Sequence, residues 1–304
     1  MMRDYKKAEI DYENKIAKDY NKLYHAWPIT KKYDMDFAHY VKKKVIKGDK
    51  ILDLGCGPAS LWPELTKIKN INLTGCDISP EMIKEARKYF PQNKFIVADS
   101  EKLPFKDEEF DMVICSSVLH HMPSLEKSFQ EIKRVLKPYG KLIGREPNND
   151  NFITETDPWI AGAIASLCHL IYRKTKTRQL DEPNVHKYHR NFKIADFIKK
   201  DLGNFFVVND IIAKYPFSSQ FTRIGSAFYG YIILKTDRFL SSYKGNQFFY
   251  LAIKDGYGKS EVLSYVNTYL KKLQQNSDSK TVPSGFIKRL IYLTAILDLI
   301  LPKK

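Results

Sequence analysis

At 304 residues, with 43% hydrophobic and 28% charged side chains, the chain is long enough for one large α/β domain with additions or for two small domains, and its composition excludes a long disordered tract. The 50 Lys and Arg against 35 Asp and Glu give a formal charge of +15, which suits nucleic acid, anionic lipid or acidic small molecules as partners, although scattered lysines also form ordinary solvated surface. Cys56, Cys76, Cys115 and Cys168 are too few and too dispersed for a disulfide framework and contain no CxxC pair, so a reducing cytoplasmic setting is expected.

The opening MMRDYKKAEIDYENK has no apolar stretch behind its charges, so neither a secretory signal nor a transmembrane anchor is expected there. Tyr12, Ile16, Tyr20, Leu23 and Tyr24, then Phe37, Tyr40, Val41 and Val45, recur at helical spacing and predict two amphipathic helices over 1–48. Strands are predicted at Lys50 to Leu54, ending at Gly55, and at Ile71 to Cys76, ending at Asp77. Ser79 then caps a helix with Pro80 in its first turn, burying Ile83, Ala86 and Phe90. Phe95 to Ala98 is a third strand ending at Asp99, Phe110 to Cys115 a fourth, and Ser124 to Leu136 a helix that Lys137-Pro138-Tyr139-Gly140 stops before a fifth strand at Lys141 to Gly144. This alternation predicts an α/β domain over 49–256, a doubly wound, mostly parallel sheet with its ligand at the carboxyl ends of the strands.

Beyond Pro147 the pattern changes. Asp157-Pro158 precedes the apolar helix Trp159 to Tyr172, a basic loop runs from Arg173 to Arg190, and a helix at Ile194 to Leu202 leads to a strand at Phe205 to Ile212. A second apolar stretch spans Phe217 to Leu234, Phe248 to Ile253 is a last strand, and 257–304 is a helical extension. Segments 157–190 and 213–247 are thus expected as helical lid insertions.

In Asp53-Leu54-Gly55-Cys56-Gly57 the glycines permit positive φ and a close backbone approach, and free amides at a following helix start suit an anionic group. A dinucleotide-binding G-x-G-x-x-G motif would need its third glycine at Ser60, so that reading is poor. The D-L-G-C-G run resembles the first motif of class I S-adenosylmethionine methyltransferases, and Ile51 to Pro147 as a whole is similar to their small-molecule and lipid methylators. The resemblance implies a Rossmann-like seven-stranded sheet with added apolar helices, and S-adenosylmethionine as cofactor. It implies that Asp53, Gly55, Cys56 and Gly57 pass the amino acid part of the cofactor, that Asp77 with Ile78 holds the ribose hydroxyls, and that Asp99 with Ser100 lies by the adenine. A carboxylate suits two vicinal hydroxyls because each O–H donates to one of its oxygens. Ser116 belongs to the same set, and Tyr20 and Tyr24 match the tyrosine-containing helix with which relatives cover the cofactor. A third glycine common in the family is replaced by Ala59.

The loop after the fourth strand, Ser116 to Pro123, lacks the Asn/Asp-Pro-Pro-aromatic run of amino-methylating nucleic acid enzymes and the Pro-Cys of cytosine C5 enzymes. Cys115, inside an apolar strand, reads as packing rather than a nucleophile. His120 and His121 are the candidate bases for a hydroxyl or carbon acceptor. His186 and His189 lack a third ligand, so no metal is expected. The apolar additions suggest a hydrophobic acceptor such as a lipid or quinone. An RNA methyltransferase, drawing on the basic charge, and a non-catalytic S-adenosylmethionine-binding protein are the other two readings.

Phe286 to Leu301, with Lys288 and Arg289 before its apolar run and Lys303 and Lys304 after it, also has the character of an interfacial helix at the inner membrane face, although burial against the domain fits as well. Deleting 286–304 is then expected to release the protein from anionic vesicles without unfolding it. Equal sedimentation of the truncated and full chains with vesicles would refute membrane contact.

Overall fold

Ile51 and Leu52, bracketed by Asp49 and Gly55, sit at the centre of strand β1 (Lys50–Leu54). The structure is a computed structural model that describes residues 2–21, 28–148, 190, 192–214 and 247–255. Helices α1 (Met2–Ile16) and α2 (Pro28–Lys42) precede β1; α3 (Trp62–Leu65), β2 (Asn72–Asp77), α4 (Pro80–Tyr89), β3 (Lys94–Val97), β4 (Phe110–Ser116), α5 (Leu125–Val135) and β5 (Leu136–Pro147) follow it. An irregular helix α6 starts at Ile194–Asp196 and runs through a wide turn, Phe197–Asp201, and a tight one, Leu202–Asn204, before β6 (Val207–Lys214) and β7 (Gln247–Ile253). The chain divides into the units Met1–Asp255 and Gly256–Lys304, and all described residues belong to the first. Among the described residues no helix is long and apolar enough to cross a membrane.

The seven strands lie in the order β3-β2-β1-β4-β5-β7-β6, parallel from β3 to β5, with β7 antiparallel to both its neighbours. This is the expected doubly wound, mostly parallel α/β sheet. Strand periodicity divides its side chains between two cores. Leu52, Leu54, Val113, Cys115, Leu142, Phe248 and Tyr250 pack with Phe129 and Ile132 of α5 and Phe197 of α6. Ile51, Met112, Ile114, Ile143, Phe249 and Leu251 pack on the other face with Phe37 and Val41 of α2, Trp62 and Leu65 of α3, and Ile83 and Ala86 of α4. Ser79 caps α4 as expected, its Oγ accepting from Met82 N at 3.1 Å.

Several expected strand boundaries shift by one or two residues, and the one between α5 and β5 moves furthest. Helix α5 stops at Val135, but β5 already begins at Leu136, which pairs with Phe110, and Lys137 to Gly140 bulge out before pairing resumes between Met112 and Lys141. Tyr139, not Gly140, takes the left-handed conformation there, at φ 61°. The expected helix Trp159 to Tyr172, His186 and His189, and the stretches 217–234, 260–275 and 286–301 lie outside the described residues, as does Tyr24.

Candidate active site

Strand order reverses between β1 and β4, and parallel strands flanking such a point splay their following loops apart, leaving a crevice at their carboxyl ends. A cavity opens there, at the carboxyl ends of the parallel strands. Its floor is Leu54, Gly55 and Gly57 after β1, Asp77 and Ile78 after β2, Ala98, Asp99 and Ser100 after β3, and Ser116, Ser117 and Val118 after β4. The N-terminal segment contributes Tyr5, Lys6, Glu9, Glu13 and Tyr20, and His121, Met122 and Pro123 complete the rim.

The glycine loop is shaped for close approach. Gly55 and Gly57 have φ of 72° and 52°, and the amides of Gly55 and Cys56 both donate to Cys76 O, at 2.8 and 3.0 Å. Ala59 also has a positive φ of 61°, so the left-handed turn continues there at a cost of about 1–2 kcal/mol. Asp77 joins this loop to α4: its Oδ2 accepts from Gly57 N and its Oδ1 from Ser79 N, each at 2.9 Å. Burial raises the Asp77 carboxyl above its usual range, against the lowering effect of those two amides and of His121. Asp99 Oδ1 accepts from Glu101 N at 2.9 Å and its Oδ2 from Lys6 Nζ at 2.7 Å.

Of the residues singled out from sequence, Gly55, Gly57, Asp77, Ile78, Asp99, Ser100, Ser116, Tyr20 and His121 thus line one cavity. Asp53, Cys56 and His120 do not. Asp53 is one residue out of phase with Leu54, so it points to the opposite face of the sheet, where its Oδ2 accepts from the buried Trp62 Nε1 at 2.8 Å. Cys56 is buried and its thiol is pushed well up by burial, with Asp53 and Asp77 adding to the effect. His120 turns away to Glu146 Oε2, 2.7 Å from its Nδ1. Buried Glu146 also accepts from the amides of Val118 and Leu119 at 3.1 and 2.9 Å and so holds the loop after β4 in place.

The position of Asp53 has a measurable consequence. Burial pushes its carboxyl up to about 7, so the folded protein keeps a proton that the unfolded chain releases near 3.8. The contribution of Asp53 to stability therefore falls as pH rises between those values and is level above about 7. Asp53→Asn, which keeps an acceptor for Trp62, is expected to match wild type near pH 4 and exceed it at pH 8 by of order a few kcal/mol in urea unfolding. The slope that remains belongs to the other carboxyls that burial raises, Glu146 to about 7 and Glu13 to about 9 among them. A variant no more stable than wild type at pH 8 would show that Asp53 is ionised at no cost.

Residues of α1 were not anticipated. Tyr5 Oη donates to His121 O at 2.6 Å, Lys6 Nζ reaches Glu101 Oε2 at 2.8 Å as well as Asp99, and Glu9 Oε1 lies 2.7 Å from His121 Nδ1. Further along, Asn14 Oδ1 accepts from Ser79 Oγ at 2.7 Å and Asn21 Oδ1 from Ser60 Oγ at 2.5 Å. These contacts lay α1 across the mouth of the cavity. The available signal was Tyr5, Glu9 and Glu13 at spacings of four, which share one helix face.

Fold and cavity together define a Rossmann-like α/β protein in which two carboxylates, Asp77 and Asp99, stand at successive strand ends of one cavity beside two positive-φ glycines. The family model described as a methyltransferase domain matches residues 52–144. The demethylmenaquinone methyltransferase of Chlorobaculum tepidum is 33% identical over 185 residues, 60% of this chain and 66% of that protein. The ubiquinone/menaquinone biosynthesis C-methyltransferase UbiE of Rickettsia massiliae is 38% identical over 104 residues, 31% of this chain and 42% of that one. The chain therefore spans just under two thirds of the first relative's length and less than half of the second's. A solved SAM-dependent methyltransferase of Thermotoga maritima shares the fold with a TM-score of 0.54, covering 81% of this chain and 99% of its own at 14% identity. Residues 52–144 carry the domain that the methyltransferase family model describes, on the fold of solved S-adenosylmethionine-dependent methyltransferases, whose cofactor is S-adenosylmethionine.

Proposed function

We propose that the protein transfers the methyl group of S-adenosylmethionine to a hydroxyl oxygen or ring carbon of a small apolar acceptor, a reduced quinone with a lipid tail being the favoured class. The reading rests above all on His121, an imidazole on the wall of the cavity whose Nδ1 is engaged by Glu9. The names of the two relatives, the family match and the partly apolar rim of Val118, Met122 and Pro123 support it.

S-adenosylmethionine, when bound, supplies an activated methyl on a sulfonium, so the protein has mainly to hold donor and acceptor in line and exclude water. In this reading Asp77 accepts from the ribose hydroxyls, Asp99 and Ser100 face the adenine, and Gly55 and Gly57 pass the methionine half. Tyr20 and Ser116 close the walls around it. With Glu9 accepting the Nδ1 proton, the Nε2 of His121 is the unprotonated ring nitrogen. That nitrogen takes the proton the acceptor gives up, and Glu9 steadies the imidazolium that results. We extend the proposal to peripheral contact with an anionic membrane through Phe286 to Leu301, on the sequence argument above.

Incubating the full chain with methyl-labelled S-adenosylmethionine and either a prenylated naphthoquinol or total RNA tests this. Label is expected in the organic phase, with one S-adenosylhomocysteine per methyl transferred. Label confined to RNA, or cofactor bound without turnover, would replace the proposal by one of the other two readings. His121→Gln is expected to lower kcat by about 10²- to 10⁴-fold with unchanged cofactor affinity. Full retained kcat would remove His121 as the base.

A further inference from the structure

Glu13 has no part in the scheme above, yet it stands in the same cavity on the α1 face that carries Glu9. Oxygens of Glu9 and Glu13 and a ring nitrogen of His121 lie within 4.8 Å of one another. The ionisable groups around Glu13 are Tyr5, Lys6 and Glu9 from α1, Asp77 from β2, Asp99 from β3 and His121 after β4. Lys6 is already committed to Asp99 and Glu101. Carboxylates therefore outnumber cations on the cavity wall, and a bound positive charge would relieve their mutual repulsion.

We propose that Glu13, with Glu9 beside it, recognises the sulfonium charge that S-adenosylmethionine carries and S-adenosylhomocysteine lacks, so that α1 grips the donor and releases the by-product. The inference rests on reading the cavity as the cofactor site. Methyl transfer turns the sulfonium into a neutral thioether, and the attraction to the carboxylates ends with it. At a few ångströms in a partly buried site, one such charge contributes roughly tenfold to a hundredfold in affinity. Burial, with Asp77 and Glu9 adding to it, pushes the Glu13 carboxyl up to about 9, so the empty cavity holds a proton that an arriving cation displaces. Binding of the donor is then accompanied by proton release at pH 7.5, and binding of the by-product is not.

Titration calorimetry on the full chain, in two buffers of different ionisation enthalpy, tests this without turnover. Wild type is expected to bind S-adenosylmethionine at least tenfold more tightly than S-adenosylhomocysteine and to release close to one proton only with the former. Glu13→Gln, isosteric with the protonated acid, is expected to keep its affinity for S-adenosylhomocysteine and lose the preference and the proton release. Glu13→Asp, which restores the charge, is expected to recover most of the preference. An unchanged ratio in Glu13→Gln would overturn the proposal while leaving the cofactor site in place. So would a preference that vanishes in EDTA and returns with magnesium or zinc, which would assign the carboxylates to a metal ion. Wild type binding neither ligand would overturn the cofactor reading and this inference together.

Discussion

Gly55→Ala is expected to abolish S-adenosylmethionine binding and to lower the melting temperature by about 10 °C or more. Two costs add at this position. Gly55 sits at φ 72°, where an L side chain costs about 1–2 kcal/mol. A Cβ there would also lie 2.1 Å from Val118 Cγ2 and 2.8 Å from Val118 Cβ, so the loop after β4 has to move. That loop is held by three bonds to buried Glu146, so it yields only at the expense of paired groups; with the backbone cost, a total of about 3–5 kcal/mol follows. Gly57 supplies the contrast. It is also left-handed, at φ 52°, but nothing lies within 4 Å of a Cβ built on it. Gly57→Ala is expected to cost only the backbone term, so thermal melts should separate the two. Equal melting temperatures for both variants would show that the Val118 contact relaxes freely.

Asp77→Ala is expected to weaken S-adenosylmethionine binding by about 10²- to 10⁴-fold, measured by calorimetry. In the proposed placement two ribose hydroxyls would each lose a hydrogen bond to a charged acceptor, worth about 1.5–3 kcal/mol apiece. The amides of Gly57 and Ser79 also lose their common acceptor, so the glycine loop is no longer tied to the start of α4. Asp77→Asn keeps one carbonyl oxygen and is expected to fall between the variant and wild type. Full retained affinity in Asp77→Ala would refute the placement of the ribose.

Most of the sheet was legible because a two-residue period in strands and a three-to-four-residue period in helices report burial directly. The alternation of Val113 and Cys115 with Met112 and Ile114 is the pattern of a strand covered on both faces, and each set enters its own core. Asp77 and Asp99 were legible for a related reason: each stands where a parallel strand runs out, and such ends gather at one edge of the sheet. Asp53 carried the same kind of signal but precedes the end of its strand by one residue, enough to turn it to Trp62. His120 and His121 are adjacent in a tight helical turn with ring centroids 4.1 Å apart, and each is fixed by its own carboxylate, His120 by Glu146 and His121 by Glu9.

The sequence by itself determined the alternation of strands and helices, the glycine turn after β1 and the class of cofactor that the turn and the following acids imply. Those are local properties, set by backbone freedom and by residues a few positions apart. Only the tertiary structure decided which of three acids and which of two histidines face the cavity, and that α1 supplies Lys6, Glu9 and Glu13 to it. The contacts involved span 93 positions from Lys6 to Asp99 and 112 from Glu9 to His121, and no periodicity within one element encodes a pairing across such a distance.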